Sequence, residues 1–150
     1  MTSFQERVES ARAGTNPTVV CRVASGWVAL CDMQYLRGYA ILLADPLVAS
    51  LNDLGQERRR AYLEDMASVG DALLEVTGAC RINYAIAGNS DPFLHAHIIP
   101  RYSDEPEQYR RSHPWSYPDE SMQATKFDAA RDRALMQQLA GAILRRSGKR

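Results

Sequence analysis

The chain has 150 residues, with 18 basic and 18 acidic side chains and no formal net charge. That length favours one domain, able to bury roughly 70% of its unfolded surface without a disulfide or structural metal. The balanced charge argues against a general electrostatic affinity for nucleic acid or an anionic membrane.

The opening residues Met1-Thr2-Ser3-Phe4-Gln5-Glu6-Arg7 lack the apolar core of a signal peptide. No apolar run approaches the ~20 residues of a membrane span. Three scattered cysteines, Cys21, Cys31 and Cys80, form no Cys-x-x-Cys pair, so neither a thiolate zinc site nor a disulfide framework is indicated. Each reads as a small buried hydrophobe. A soluble, reduced, cytoplasmic protein is the expectation.

In chain order, Ser3 and Glu6 match a capping box, which predicts a short helix from Ser3 to Ala13 within an N-terminal extension of residues 1–17. Thr18 to Val23 and Trp27 to Cys31 read as a β-hairpin around Ala24-Ser25-Gly26. Tyr39 to Ala44 is apolar throughout and predicts a central strand covered on both faces, closed by Asp45-Pro46. The run Glu57-Arg58-Arg59-Arg60 reads as a solvated helix face. Tyr62, Met66, Val69, Leu73 and Val76 recur at helical spacing, and Gly78 stands where a C-cap glycine belongs.

Ile82 to Ala87 reads as a strand, Gly88 to Pro92 as a turn, and Phe93 to Arg101 as a further strand. Residues 103–120 are rich in Pro, Asp, Glu and Ser and read as an irregular loop. From 125 to 146, Phe127, Ala134, Leu135, Leu139 and Ala142 predict a final amphipathic helix. The short links between early strands favour antiparallel pairing. The fold class is therefore α+β: a sheet of about five strands with the long helix on one face, plus N- and C-terminal helices, within a single domain over residues 1–150.

Two of the three histidines form His95-Ala96-His97. In a strand, residues i and i+2 project from one face, so both imidazoles point to one place. Three readings compete. The pair is structural, half-buried with satisfied hydrogen bonds. Or it is part of a metal site, which wants a third ligand from His113 or a carboxylate. Or it performs nucleophilic chemistry or anion binding at phosphorus.

Ser90 to Arg101 resembles the signature of the histidine triad superfamily, in which alternating histidines end a strand and two apolar residues, often with Pro-Arg, follow. Asp32, the stretch Arg37-Gly38-Tyr39-Ala40-Ile41-Leu42-Leu43, the stretch Val48 to Leu54 and the long helix follow that family's usual order. The resemblance covers Val19 to Arg101. Gly88-Asn89 before Pro92 is similar to a bacterial branch related to dinucleoside polyphosphate hydrolases.

The resemblance implies a nucleotide hydrolase acting at the α-phosphorus, with His95 as nucleophile and His97 on the phosphate oxygens. It implies Asn89 and Ser90 on the phosphate side and Asp32 on the ribose hydroxyls. Leu30 and Met33 would line a base pocket, or are plain core. A homodimer is implied as well. No cofactor or resident metal is required, although magnesium carried by a polyphosphate is compatible.

Two positions depart from the family. Phe93 stands at the first triad histidine, and Tyr39 at a further histidine common at the start of the central strand. Both lie close together in the family, which implies a joint repacking. The Phe93 carbonyl is still available to orient the His95 ring, but a side chain that could relay a proton is gone. Slow turnover, or nucleotide binding without turnover, is the corresponding expectation. His113-Pro114-Trp115 reads either as an exposed loop or as a lid that brings Trp115 to a base.

Overall fold

A computed structural model describes residues 2–148. Helix α1 spans Phe4–Arg12. Ser3 caps it, its side chain accepting from the Glu6 N–H while Glu6 accepts from the Ser3 N–H, so the predicted capping box is formed. The hairpin is β1 (Val19–Val23) and β2 (Gly26–Leu30), followed by β3 (Ala40–Ala44). Helix α2 runs Gln56–Thr77 and ends on Gly78, whose φ of 72° only glycine adopts without strain. Strands β4 (Arg81–Ala85) and β5 (His95–Arg101) complete a five-stranded antiparallel sheet of order β1-β2-β3-β5-β4.

The loop after β5 is less irregular than its composition suggests. It holds α3 (Glu107–Arg110), a 3-10 turn (Pro114–Ser116) and α4 (Asp119–Gln123). The last helix, α5, spans Ala129–Ser147 and starts later than predicted because Asp128 caps it, accepting from the Arg131 N–H. Phe127 therefore precedes the helix, and Ala134 lies on its exposed side.

Strand β3 is buried along its whole length, as its uniform apolarity predicted. Ala40, Leu42 and Ala44 face a core shared with Tyr62, Val69 and Leu73 of α2 and with Leu139 and Ile143 of α5. Tyr62 also donates to the Leu42 carbonyl at 2.8 Å. Tyr39, Ile41 and Leu43 belong to a second cluster with Val8 of α1 and Ile99 of β5. The sheet is thus covered on both faces, by α2 and α5 on one and by α1 on the other.

Register places the histidines. Leu43 pairs with His95 and Ile41 with His97, while Leu42 pairs with Ala96 and Ala40 with Ile98. Both imidazoles consequently project to the α1 face, and Ala96 and Ile98 enter the helical core. Leu30 belongs to that helical core and not to a base pocket. Cys31 is buried and Cys21 partly so, but Cys80 is exposed, its thiol 3.3 Å from the Arg101 carbonyl. Among the described residues no helix is long and apolar enough to cross a membrane.

Candidate active site

His95 opens β5. Its Nδ1 lies 2.7 Å from the Phe93 carbonyl oxygen. A carbonyl only accepts, so Nδ1 carries the ring proton and Nε2 of the neutral ring keeps a free lone pair. The backbone supplies this orienting bond, so it does not depend on the Phe93 side chain.

His97 has the opposite arrangement. Its Nδ1 lies 2.6 Å from the Tyr39 hydroxyl. Burial pushes the Tyr39 phenol well above its ordinary range, so it stays protonated and can donate. Burial, with a smaller contribution from His95, pushes His97 down to about 4, so at neutral pH its ring is uncharged. With Nδ1 accepting from Tyr39, the proton of His97 resides on Nε2.

The two imidazoles, 5.0 Å apart between centroids and nearly perpendicular, therefore offer complementary atoms: a lone pair on one and an N–H donor on the other.

Aromatic rings flank the pair. Phe4 of α1 stacks on His95, with centroids 3.7 Å apart and planes 19° from parallel. Trp115 meets His97 edge-on at 5.3 Å. In the His113-Pro114-Trp115 stretch, Trp115 lies beside His97 while His113 itself stays exposed.

Arg101, at the far end of β5, holds that loop in place. Its guanidinium donates to Asn83, to the Ser112 and Tyr109 carbonyls and to Glu105, with which it forms a buried ion pair. Burial alone would raise the Glu105 carboxyl. The Arg101, Tyr117 and Tyr102 hydrogen bonds outweigh it and hold the group below its ordinary range. Tyr35 adds a bond from its hydroxyl to the Pro114 carbonyl.

A cavity of about 560 Å³ opens on the histidines, lined among others by Phe4, Arg7, Asn89, Ser90, His95 and His97. The structure thus brings Asn89 and Ser90 to the same wall as the two histidines. They follow Gly88, whose φ of 77° turns the chain there.

Asp32 stands apart. It pairs with Arg7 at 2.5 Å and lines an adjoining hollow of about 310 Å³. Arg7 lies on the walls of both cavities.

Among the described residues no group of three or more His, Cys, Asp or Glu side chains could hold a metal ion.

No family profile matches the chain, and no curated protein matches it in sequence. Solved structures match it in shape. A histidine triad protein from Marinobacter aquaeolei VT8 has a TM-score of 0.71 at 19% identity, over 85% of this chain and 88% of that one. A histidine triad protein from Bradyrhizobium japonicum gives 0.69 at 23% identity, over 83% and 89%. A hypothetical histidine triad nucleotide-binding protein from Sulfolobus tokodaii strain 7 gives 0.69 at 12% identity, over 92% and 91%. The fold of this chain is the histidine triad fold.

The sequence does not mark Phe4 and Arg7 as parts of the site, and it marks Arg101 only as the last residue of the motif stretch. Phe4 and Arg7 lie on the predicted N-terminal helix, but nothing local reveals where that helix docks. Arg101 follows the histidine motif directly, and its burial is the signal that sets it apart.

Proposed function

We propose that the chain is a nucleotide hydrolase or transferase of the histidine triad kind. It acts at the α-phosphorus of a dinucleoside polyphosphate or a nucleoside monophosphate conjugate, through a covalent nucleotidyl-His95 intermediate. The observation that carries this reading is the pair of contrasting hydrogen bonds, Nδ1 of His95 on the Phe93 carbonyl oxygen and Nδ1 of His97 on the Tyr39 hydroxyl, which assigns a free Nε2 lone pair to His95 and an Nε2–H donor to His97.

In the reaction, Nε2 of His95 attacks the α-phosphorus. The nitrogen–phosphorus bond forms as the bond to the leaving group breaks, and the leaving group departs with the electron pair. Water then attacks the same phosphorus and gives its proton to solvent as the nitrogen–phosphorus bond breaks; the nucleoside monophosphate leaves and the neutral imidazole is restored. Two easier displacements replace one difficult one. His97 donates to a non-bridging oxygen as charge builds there, and its low basicity keeps it neutral in that role. Asn89 and Ser90 hold the phosphates, and Asp32 takes the ribose hydroxyls once Arg7 yields one of its oxygens. The nucleotide-binding description of the Sulfolobus tokodaii protein supports the substrate class.

The test is turnover of diadenosine tetraphosphate and adenosine phosphoramidate by wild type, His95→Ala and His97→Ala. Hydrolysis by wild type that disappears in His95→Ala is expected, together with a nucleotidyl adduct on His95 by mass spectrometry. One observation favours a second reading, a nucleotide-binding module without turnover: Phe93 puts an apolar ring where the family has its first histidine. Calorimetric binding of AMP by a wild type that neither turns over nor forms an adduct would select it.

A further inference from the structure

Helix α1 reaches the site with its first residue. The Phe4 ring lies flat on one face of the His95 imidazole. Its backbone N–H donates to Asp91 Oδ2 at 2.8 Å, which ties the first turn of α1 to the loop that precedes β5. The helix behind it is firmly seated. Val8 and Ala11 are buried, Arg7 reaches Asp32 with two nitrogens, and Arg12 does the same to Asp45. Phe4 is therefore a fixed wall and not a loosely attached side chain.

An imidazole on a strand must be fixed in more than one direction. The hydrogen bond from Nδ1 to the Phe93 carbonyl sets which ring edge faces the backbone. A single hydrogen bond is also an axis about which the ring can tilt. A flat aromatic ring against one face opposes that tilt. His97 meets His95 in the perpendicular orientation, so it does not supply this restraint.

We propose that Phe4 is a positioning residue for His95: its ring holds the imidazole so that Nε2, the atom left free by the Phe93 carbonyl, keeps one direction. The N-terminal helix thereby becomes part of the site, although it lies outside the stretch that carries the histidine motif. The inference rests on the reading of His95 as the nucleophile.

The experiment compares full-length wild type, Phe4→Leu and Phe4→Tyr. Displacement geometry is steep in rate, and a misplacement of about 1 Å costs on the order of 100-fold. Phe4→Leu is expected to lower kcat by roughly 10- to 100-fold with KM within about threefold, since Leu fills space without a flat face. Phe4→Tyr restores kcat to within about threefold of wild type, because the ring is kept. A wild-type kcat in Phe4→Leu, with only a lower melting temperature, would overturn the proposal and leave Phe4 as packing.

A second readout needs no turnover. In NMR spectra of the free wild-type protein, the His95 ring protons should show the upfield shift of a stacked neighbour and its ring nitrogens one sharp set of resonances. In Phe4→Leu the upfield shift should vanish and the nitrogen resonances broaden or split. Nitrogen resonances in Phe4→Leu as sharp and single as in wild type would overturn the proposal. If wild type turns over neither substrate, the hydrolase reading has failed, and these spectra alone decide whether Phe4 fixes the ring.

Discussion

The Tyr39 hydroxyl and Nδ1 of His97 lie 2.6 Å apart, and this contact determines which nitrogen of His97 can serve a ligand. The phenol is the stronger donor of the two groups and stays protonated, so the imidazole must accept. Tyr39 thus acts on the site without touching the reacting atoms. Tyr39→Phe keeps the ring and removes the hydroxyl. Losing one such bond is worth about 0.5–1.5 kcal/mol, or roughly two- to tenfold. We expect kcat to fall by that factor and the His97 ring nitrogens to show a mixture of tautomers in NMR spectra. A variant with wild-type turnover and a single tautomer would remove Tyr39 from this role.

The half-buried, uncharged His97 makes stability depend on pH. Its folded value of about 4 lies below the ordinary value of 6.5. Between those limits the unfolded chain binds a proton that the native chain refuses, so stability rises with pH through that window and falls on acidification. The contribution is fully present above about 6.5 and gone below about 4, with a ceiling of roughly 3 kcal/mol. Urea denaturation at several pH values should show this slope, and His97→Gln should flatten it. Equal slopes for the two proteins would contradict the shift.

A leaving group that needs a proton should suffer in this site. An amine leaves a phosphoramidate only if its nitrogen is protonated, whereas a nucleoside polyphosphate departs as an anion. His97 is an effective acid only as imidazolium, which is scarce at pH 7 for a group of pKa about 4. Phe93, two residues before His95, has no ionisable side chain and offers no second acid. We expect turnover of adenosine phosphoramidate to drop as pH rises from 5 to 8 while diadenosine tetraphosphate hydrolysis does not. Parallel pH profiles for the two substrates would argue that the proton comes from elsewhere.

The Arg101–Glu105 pair is buried on both sides, at 5% and 4% side-chain exposure. Arg101→Met strands the Glu105 carboxylate and the carbonyls of Tyr109 and Ser112, a loss expected to cost about 3–5 kcal/mol. Adding Glu105→Gln should recover part of it, because the stranded charge disappears. Chemical denaturation of both single variants and the double checks this, and Trp115 fluorescence reports whether the loop leaves His97. Strict additivity would mean that the pair is not coupled.

How far the sequence discloses this arrangement follows from the range of each interaction. The His-x-His spacing placed both imidazoles on one face because strand periodicity is local. The same is true of the Ser3–Glu6 capping box, of Gly78 after α2 and of the uniformly buried β3. The contact of Phe4 with His95 and the pairing of Arg7 with Asp32 were not visible. They depend on how α1 docks across the sheet, which no short-range pattern encodes. Cys80 shows the same limit: its apolar neighbours suggested burial, but it sits at the exposed start of the β4 edge. The composition of the loop after β5 points to irregular chain. Its order comes from Arg101, a single buried cation that collects backbone carbonyls from chain that has few apolar anchors.

The pairing of Leu43 with His95 and Ile41 with His97 has a consequence for how this chain can change over time. Strand faces alternate with every residue, so one amino acid inserted or deleted between Asp91 and His95 that shifted β5 against β3 would send both imidazoles beneath α2 and α5 and bring Ala96 to the cavity. Loop 103–120 can accept changes of length without that penalty, because it begins only after β5 has ended. Length variation among natural descendants of this sequence should therefore collect after Arg101 and be nearly absent between the Gly88 turn and the histidines.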